Sequence, residues 1–136
     1  FFLFFGGFIG INRILFTDQS SNLSKQYFQI LRPCHNEEIY GLIRVVKEGC
    51  GGLYGFFSAH SSNSFAIAGF FYFSLSNYSK WRKFLFLWAA IIAYSRIYCG
   101  LHFPSDVVVG GTYGLASGYL AFIFYNYLLK KSIFFK

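Results

Sequence analysis

The sequence predicts an all-α fold, a polytopic bundle of transmembrane helices. Hydrophobic residues make up 55% of the 136 positions and charged residues only 12%, whereas an average soluble domain carries about 25% charged residues. The long apolar stretches are also free of charge over lengths that suit a membrane span. These observations exclude a disordered chain and argue against an ordinary soluble fold.

Four stretches approach the 20 or so apolar residues that a spanning helix needs. They are residues 1–16, 58–79, 84–101 and 107–129. The first is short at its open end, and the sequence contains no Met. We therefore expect a single membrane-embedded domain over residues 1–136 that is a fragment missing its start, with three full spans and a partial one.

Charge predicts the orientation of these spans. Basic clusters at 80–83 and 130–136 are expected to stay in the cytoplasm, which places residues 17–57 and 101–106 on the opposite side. That outer segment nevertheless carries Lys25, Arg32, Arg44 and Lys47, which a bound anion would explain. Twelve basic against five acidic residues are too thinly spread to follow a nucleic-acid backbone, so no nucleic-acid partner is predicted.

The three cysteines predict neither a disulfide scaffold nor a metal site, because they lack paired metal-ligand spacing. Cys34 and Cys50 both lie in the outer segment. An oxidising periplasm would permit a disulfide between them, which intact-mass analysis with and without reductant would detect. Cys99 falls within a span and is expected to be a buried thiol.

Recurring glycines in the last span predict close helix packing. Gly110, Gly111, Gly114 and Gly118 follow one another at spacings of one to four residues. Small residues at such spacing let membrane helices approach closely, so we assign these glycines to packing and not to catalysis.

The most informative polar groups surround the third span's end. Arg96 lies inside an apolar stretch, where a charge is costly and marks a candidate site. His102 follows six residues later and Asp106 four beyond that. Pro104 suits a first helical turn, so Asp106 should lie within reach of His102. A carboxylate in that position fixes the imidazole tautomer and leaves the other ring nitrogen as a nucleophile.

Two upstream groups complete the candidate site. Ser58, a plausible N-cap, and Ala59 precede His60 at the start of an uncharged helix, where exposed N–H groups bind phosphate and His60 could protonate a leaving oxygen. Lys25 and Arg32 are seven residues apart, so two helical turns would place both cations on one face. With Arg96 they would surround one anion.

These groups together resemble the three-part signature of the type 2 phosphatidic acid phosphatase superfamily, which includes membrane lipid phosphatases, bacterial acid phosphatases and vanadium haloperoxidases. The resemblance rests on Lys25-x6-Arg32-Pro33, Ser58-Ala59-His60 and Ser95-Arg96-x5-His102-x3-Asp106, and covers roughly residues 25–129. Membrane members of the family resemble six-helix proteins, which implies that this chain is an amino-terminally truncated six-helix core.

The resemblance implies a metal-independent and cofactor-independent hydrolase. His102 would attack phosphorus to form a phosphohistidine, Asp106 would support it, and His60 would protonate the departing group. The phosphoryl oxygens would be held by Lys25, Arg32, Ser58, Ala59 and Arg96. The middle motif departs from the usual Pro-Ser-Gly-His, since Phe57 replaces Pro and Ala59 replaces Gly; an altered rate or selectivity is expected before loss of function.

The expected substrate is a lipid phosphate or diphosphate in a bacterial inner membrane, with the site facing the periplasm and no obligatory protein partner. Undecaprenyl diphosphate, the polyprenyl carrier, is the first expectation, and phosphatidic acid, phosphatidylglycerol phosphate and lipid A are alternatives. A non-catalytic membrane protein that binds lipid headgroups is the alternative of another class. Haloperoxidase chemistry is disfavoured by the four apolar stretches.

Overall fold

The computed structural model describes residues 17–43, 45–46, 49–76 and 80–134. Within these ranges the chain is helical, and the one β contact is an isolated antiparallel bridge between Leu31 and Tyr54. The α-helices are α1 (Gln19–Phe28), α2 (Ala59–Ser74), α3 (Phe84–Tyr98) and α4 (Pro104–Phe134). Short 3-10 turns cover Pro33–His35, Tyr40–Leu42 and Lys80–Lys83. The all-α prediction is thus confirmed for the described chain.

One described helix is long and apolar enough to cross a membrane, the part of α4 from Pro104 to Lys131. The two other predicted spans within the described residues are helical but shorter, with 16 residues in α2 and 15 in α3. At 1.5 Å per residue they reach roughly 24 and 22 Å, against about 30 Å of hydrocarbon. The predicted span at 1–16 lies outside the described residues, and a six-helix bundle is not seen.

The core of the helical part is the seam between α2 and α4, which run antiparallel. A Cβ added at Gly110 would lie 2.6 Å from the backbone oxygen of Ser58, and one added at Gly114 or Gly118 would overlap the backbone oxygen of Ser62 or Ala66. Each glycine therefore lets one turn of α4 touch one turn of α2. The predicted packing role of these glycines is confirmed.

The turn that joins α3 to α4 is set by recognisable end signals. Gly100 has a positive φ of 69°, Leu101 N–H donates to Arg96 O at 3.1 Å and Gly100 N–H to Ile97 O at 2.9 Å. This is the Schellman pattern that ends a helix and reverses the chain. α4 then begins at Pro104, as predicted. His102 is thereby held in a short connection between two helix ends.

The described chain before α2 is held to the bundle by polar contacts. Thr17 Oγ1 bonds Asn63 Oδ1, Ser21 Oγ donates to Phe57 O at 3.0 Å, and Tyr113 Oη donates to Ser20 Oγ at 2.6 Å. These bonds fix α1 against the beginning of α2 and α4. The basic turn 80–83 lies at the other ends of α2 and α3, as the predicted alternation of spans requires.

Candidate active site

The centre of the site is His102, whose side chain is 96% enclosed. Its Nδ1 lies 3.5 Å from Asp106 Oδ2, and Asp106 is buried as well. Nδ1 makes no hydrogen bond to any described residue, because 3.5 Å exceeds the usual N–H···O distance. The carboxylate therefore faces the ring electrostatically, at a separation that tightens readily when a substrate completes the site.

Asp106 is fixed by the start of α4. Its Oδ2 accepts a hydrogen bond from Phe103 N–H at 2.9 Å, which is the reach of a third-position acidic residue back to the N-cap. Its backbone oxygen accepts from Ser58 N–H at 3.1 Å. One residue thus orients the histidine, caps α4 and joins α4 to the start of α2.

Burial and charge set the protonation of His102. Burial lowers its pKa most, attraction to Asp106 raises it, and repulsion from Arg32 and Lys25 lowers it further, with a net lowering below 6.5. The imidazole is therefore neutral at neutral pH. Only the neutral ring has the lone pair that a nucleophile needs.

The two cations converge on this histidine, but not by the predicted route. α1 ends at Phe28, Gln29 is left-handed with φ 49°, and Arg32 is extended. The expectation that two helical turns align Lys25 with Arg32 is therefore wrong, because the helix stops between them. Arg32 is instead held in a loop, where its backbone N–H donates to Leu53 O at 3.1 Å and its Nε to Tyr54 O at 3.3 Å.

Mutual repulsion shows how close the two cations are. Burial lowers the pKa of Lys25 first and the charge of Arg32 lowers it further, while Asp18 and Asp106 raise it. Burial likewise lowers the pKa of Arg32, and Asp106 opposes that change. Two partly buried cations near a single shared carboxylate leave positive charge that a bound anion would balance.

Gly55 is a site residue that the sequence analysis did not single out. A Cβ at this position would lie 3.2 Å from Arg32 Cγ and 3.3 Å from Asp106 Oδ2. Its N–H donates to Ile30 O at 2.8 Å. The absence of a side chain lets the Arg32 loop approach Asp106, and a glycine just before the Ser58–His60 motif was the available signal.

The start of α2 places the middle motif as expected. Ser58 is the N-cap residue of α2, but its hydroxyl makes no capping bond and is buried without a hydrogen-bond partner among the described residues. Ala59 and His60 form the first turn, and His60 is exposed. A buried free hydroxyl at a helix N-terminus is suited to a phosphoryl oxygen.

Arg96 is oriented differently from the other cations. Its Nε and Nη2 both donate to Ser95 Oγ at 3.0 Å, and the charges that act on His102 come from Arg32, Lys25 and Asp106. The structure thus brings together Lys25, Arg32, His102 and Asp106. Roles for Arg96 and His60 in substrate binding and catalysis remain predictions.

The outer loop closes beside Arg32. Cys34 and Cys50 are joined as a disulfide with their Cα atoms 6.1 Å apart. A Cβ at Gly51 would lie 3.6 Å from Arg32 Nη1, and His35 Nε2 is 3.4 Å from Gly51 O. Ligand atoms of Cys34, His35 and Cys50 also lie within 4.8 Å of one another, but sulfurs bonded to each other are not thiolate ligands. Arg44 and Lys47 lie outside the described residues.

Comparison with known proteins agrees with this geometry. The family profile of the PAP2 superfamily matches residues 1–130. The chain belongs to the PAP2 superfamily. Two relatives are lipid A 4'-phosphatases. The protein from Porphyromonas gingivalis is 31% identical over 135 residues, which are 96% of this chain and 54% of that protein. The protein from Bacteroides thetaiotaomicron is 36% identical over 121 residues, with 87% and 53% covered.

The chain spans about half the length of these curated relatives. No solved structure matches it significantly.

Proposed function

We propose that the protein is a membrane phosphatase that hydrolyses the 4'-phosphate of lipid A through a phosphohistidine at His102. The observation that carries the proposal is the buried His102, with Nδ1 facing Asp106 at 3.5 Å and two cations acting on the same ring. The names of the two relatives favour lipid A over the undecaprenyl diphosphate expected from the sequence.

In the first step, the neutral His102 attacks phosphorus with Nε2, the ring nitrogen directed away from Asp106. An N–P bond forms while the P–O bond to the sugar breaks. Asp106 stabilises the imidazolium that results, because it faces Nδ1. His60 donates a proton to the departing sugar oxygen, so that an alcohol leaves instead of an alkoxide.

In the second step, water attacks the phosphohistidine. The N–P bond breaks, His102 regains its lone pair and inorganic phosphate is released. His60, now neutral, accepts the proton from the water. Its exposed position on the first turn of α2 allows exchange with solvent between the two steps.

Charge on the phosphoryl oxygens is offset by preorganised donors. Lys25 and Arg32 are already held near His102 by burial and by the loop contacts. The Ser58 hydroxyl and the first N–H groups of α2, including that of Ala59, supply further donors, and Arg96 would join them by leaving Ser95. Fixed donors in a partly dehydrated site stabilise a transition state more than mobile water does.

We assign the protein to a bacterial inner membrane with the site at its periplasmic face. The apolar α4 begins at the site and runs away from it, and the basic turn 80–83 lies at the opposite ends of α2 and α3. This arrangement leaves the tail of a lipid substrate in the bilayer while its phosphate reaches His102.

The test is phosphate release by the full-length protein, purified in detergent, from lipid A, undecaprenyl diphosphate, phosphatidic acid and phosphatidylglycerol phosphate. We expect preferred release from lipid A, with loss of the 4'-phosphate seen by mass spectrometry. His102→Ala should lower kcat by at least about a thousandfold, as removal of a covalent nucleophile does. His35→Gln is the matched histidine control and should retain activity.

The other outcomes separate the levels of the proposal. Preferred release from undecaprenyl diphosphate would overturn the lipid A assignment and keep the reaction. Release that survives His102→Ala would overturn the nucleophile. A folded wild-type protein that binds the lipids without releasing phosphate from any of them would identify a headgroup-binding protein.

A further inference from the structure

An apolar groove opens beside the candidate site, between α2, α3 and α4. Its volume is about 400 Å³ and its lining is almost entirely apolar, with Phe65 from α2, Ala90 and Ala93 from α3, and Gly111 and Leu115 from α4. The groove faces outward. It occupies the side on which α3 packs, away from the tight glycine seam.

The groove exists because small residues line it where side chains would otherwise meet. Gly111 lies so close to α2 that an added Cβ would be 3.2 Å from the Phe65 ring and 3.3 Å from Ser61 Oγ. Ala90 and Ala93 leave the facing side of α3 equally shallow. The space between the two helices is thus shaped by residue size.

The groove is continuous with the site. Val107 lines its upper end and directly follows Asp106, and the Val107 backbone oxygen accepts from Ser61 Oγ at 2.7 Å. From Val107 to Leu115 the lining runs eight residues along α4, about 12 Å. A molecule whose phosphate contacts His102 has this groove as its adjacent apolar surface.

The described amino-terminal part of the chain joins the bundle on the opposite side. Thr17 bonds Asn63 and Ser20 bonds Tyr113. Asn63 is two residues from Phe65, and Tyr113 is two residues from Gly111, so each is about 160° around its helix from the groove lining. The contacts that hold α1 therefore leave the groove open.

We propose that this groove holds one hydrocarbon chain of the lipid whose phosphate is cleaved at His102. The inference rests on the proposed function and adds the part of the substrate that lies below the phosphate. Lipid tails are as apolar as the groove, so its contribution is alignment and not extraction from the membrane. A chain held along α4 fixes the distance and angle at which the phosphate meets His102.

The test fills the groove from its exposed rim. Ala90→Phe and Thr112→Phe each place a ring among the lining residues, and Ala116→Phe, on an exposed position of α4 outside the lining, is the matched control. Each protein is assayed with long-chain lipid A, a short-chain analogue and the water-soluble p-nitrophenyl phosphate. Both groove variants should lower kcat/KM for the long chain by about tenfold, lose less on the short chain and leave the soluble ester unchanged.

Several outcomes would overturn the proposal. These are unchanged long-chain hydrolysis in both groove variants, equal losses at all chain lengths, or the same loss on the soluble ester. A wild-type protein that cleaves the soluble ester but no lipid would instead contradict the proposed function.

A binding measurement gives an independent readout. A lipid phosphate with a photoreactive group in its tail should label peptides covering residues 90–97 and 108–115 in the His102→Ala protein, where turnover is absent. Ala90→Phe and Thr112→Phe should reduce that label. If another part of the protein covers the groove, neither peptide will be labelled and the proposal fails.

Discussion

The nucleophile and the cations of this site are held by different means. His102 and Asp106 lie between α3 and α4 and are positioned by backbone bonds, helix end signals and the glycine seam. Lys25 and Arg32 belong to residues 17–55, which we call the outer segment. There Arg32 is positioned by a loop, two bonds to residues 53 and 54, and a disulfide nearby.

The difference indicates which property each region controls. Chemistry at phosphorus requires a nucleophile fixed to a fraction of an ångström, which packed helices provide. An anion clamp tolerates more adjustment, because a charge acts over several ångströms. We therefore expect changes in the helices to affect folding and kcat, and changes in the outer segment to affect KM and the response to pH.

Removal of the Arg32 side chain should have the largest effect in the outer segment. Arg32→Ala should lower kcat/KM by about a hundredfold or more, the usual cost of one preorganised donor. Arg32→Lys should recover only part of the loss, since a single ammonium cannot reproduce the guanidinium fork. Steady-state kinetics on lipid phosphate measures both variants.

Lys80→Ala is the control for charge alone, because Lys80 is exposed at the far end of α2 and α3. It should keep wild-type kinetics and melting temperature. An Arg32→Ala protein within threefold of the wild type would contradict the clamp and with it the contrast between the two regions.

A methyl group in the glycine seam should instead damage the fold. Gly114→Ala places a Cβ against the Ser62 backbone oxygen, and overpacking of this kind costs about 1–3 kcal/mol or more. Thermal melting in detergent should show the loss. Gly41→Ala is the control, since nothing lies within 4 Å of a Cβ there; equal melting of the two variants would refute the close seam.

The sequence predicts the helical region better than the outer segment for a physical reason. Apolar stretches, glycine spacing and Pro104 are local signals, so the helices, their packing and the His102–Asp106 pair follow from them. Arg32 reaches the site through Gly55, Tyr54 and a loop reversal after Gln29. Those contacts join residues more than 20 positions apart, and no periodicity in the sequence encodes them.

Reduction of the Cys34–Cys50 disulfide should have a smaller effect, confined to substrate binding. The bond closes the loop that places Gly51 against the Arg32 guanidinium. A Cys34→Ser/Cys50→Ser protein should raise KM by about threefold with kcat little changed. Dithiothreitol should reproduce this in the wild type and do nothing to the double variant, with intact mass reporting the bond; identical KM in oxidised and reduced protein would show that Arg32 is positioned without it.

The pH dependence should change least, but its sign is the most specific. Because burial, Arg32 and Lys25 lower the pKa of His102, the acid limb of kcat/KM should lie below the ordinary histidine range. Lys25→Met removes one lowering charge, so the pKa of His102 rises and the limb moves to higher pH. Asp106→Asn removes the attraction that raises this pKa, so the limb moves to lower pH while kcat falls. Comparison with the wild type on one substrate cancels ionisation of the phosphate itself. If both variants move the limb in the same direction, the titrating group is not His102, and the outer segment does not act on the nucleophile through charge.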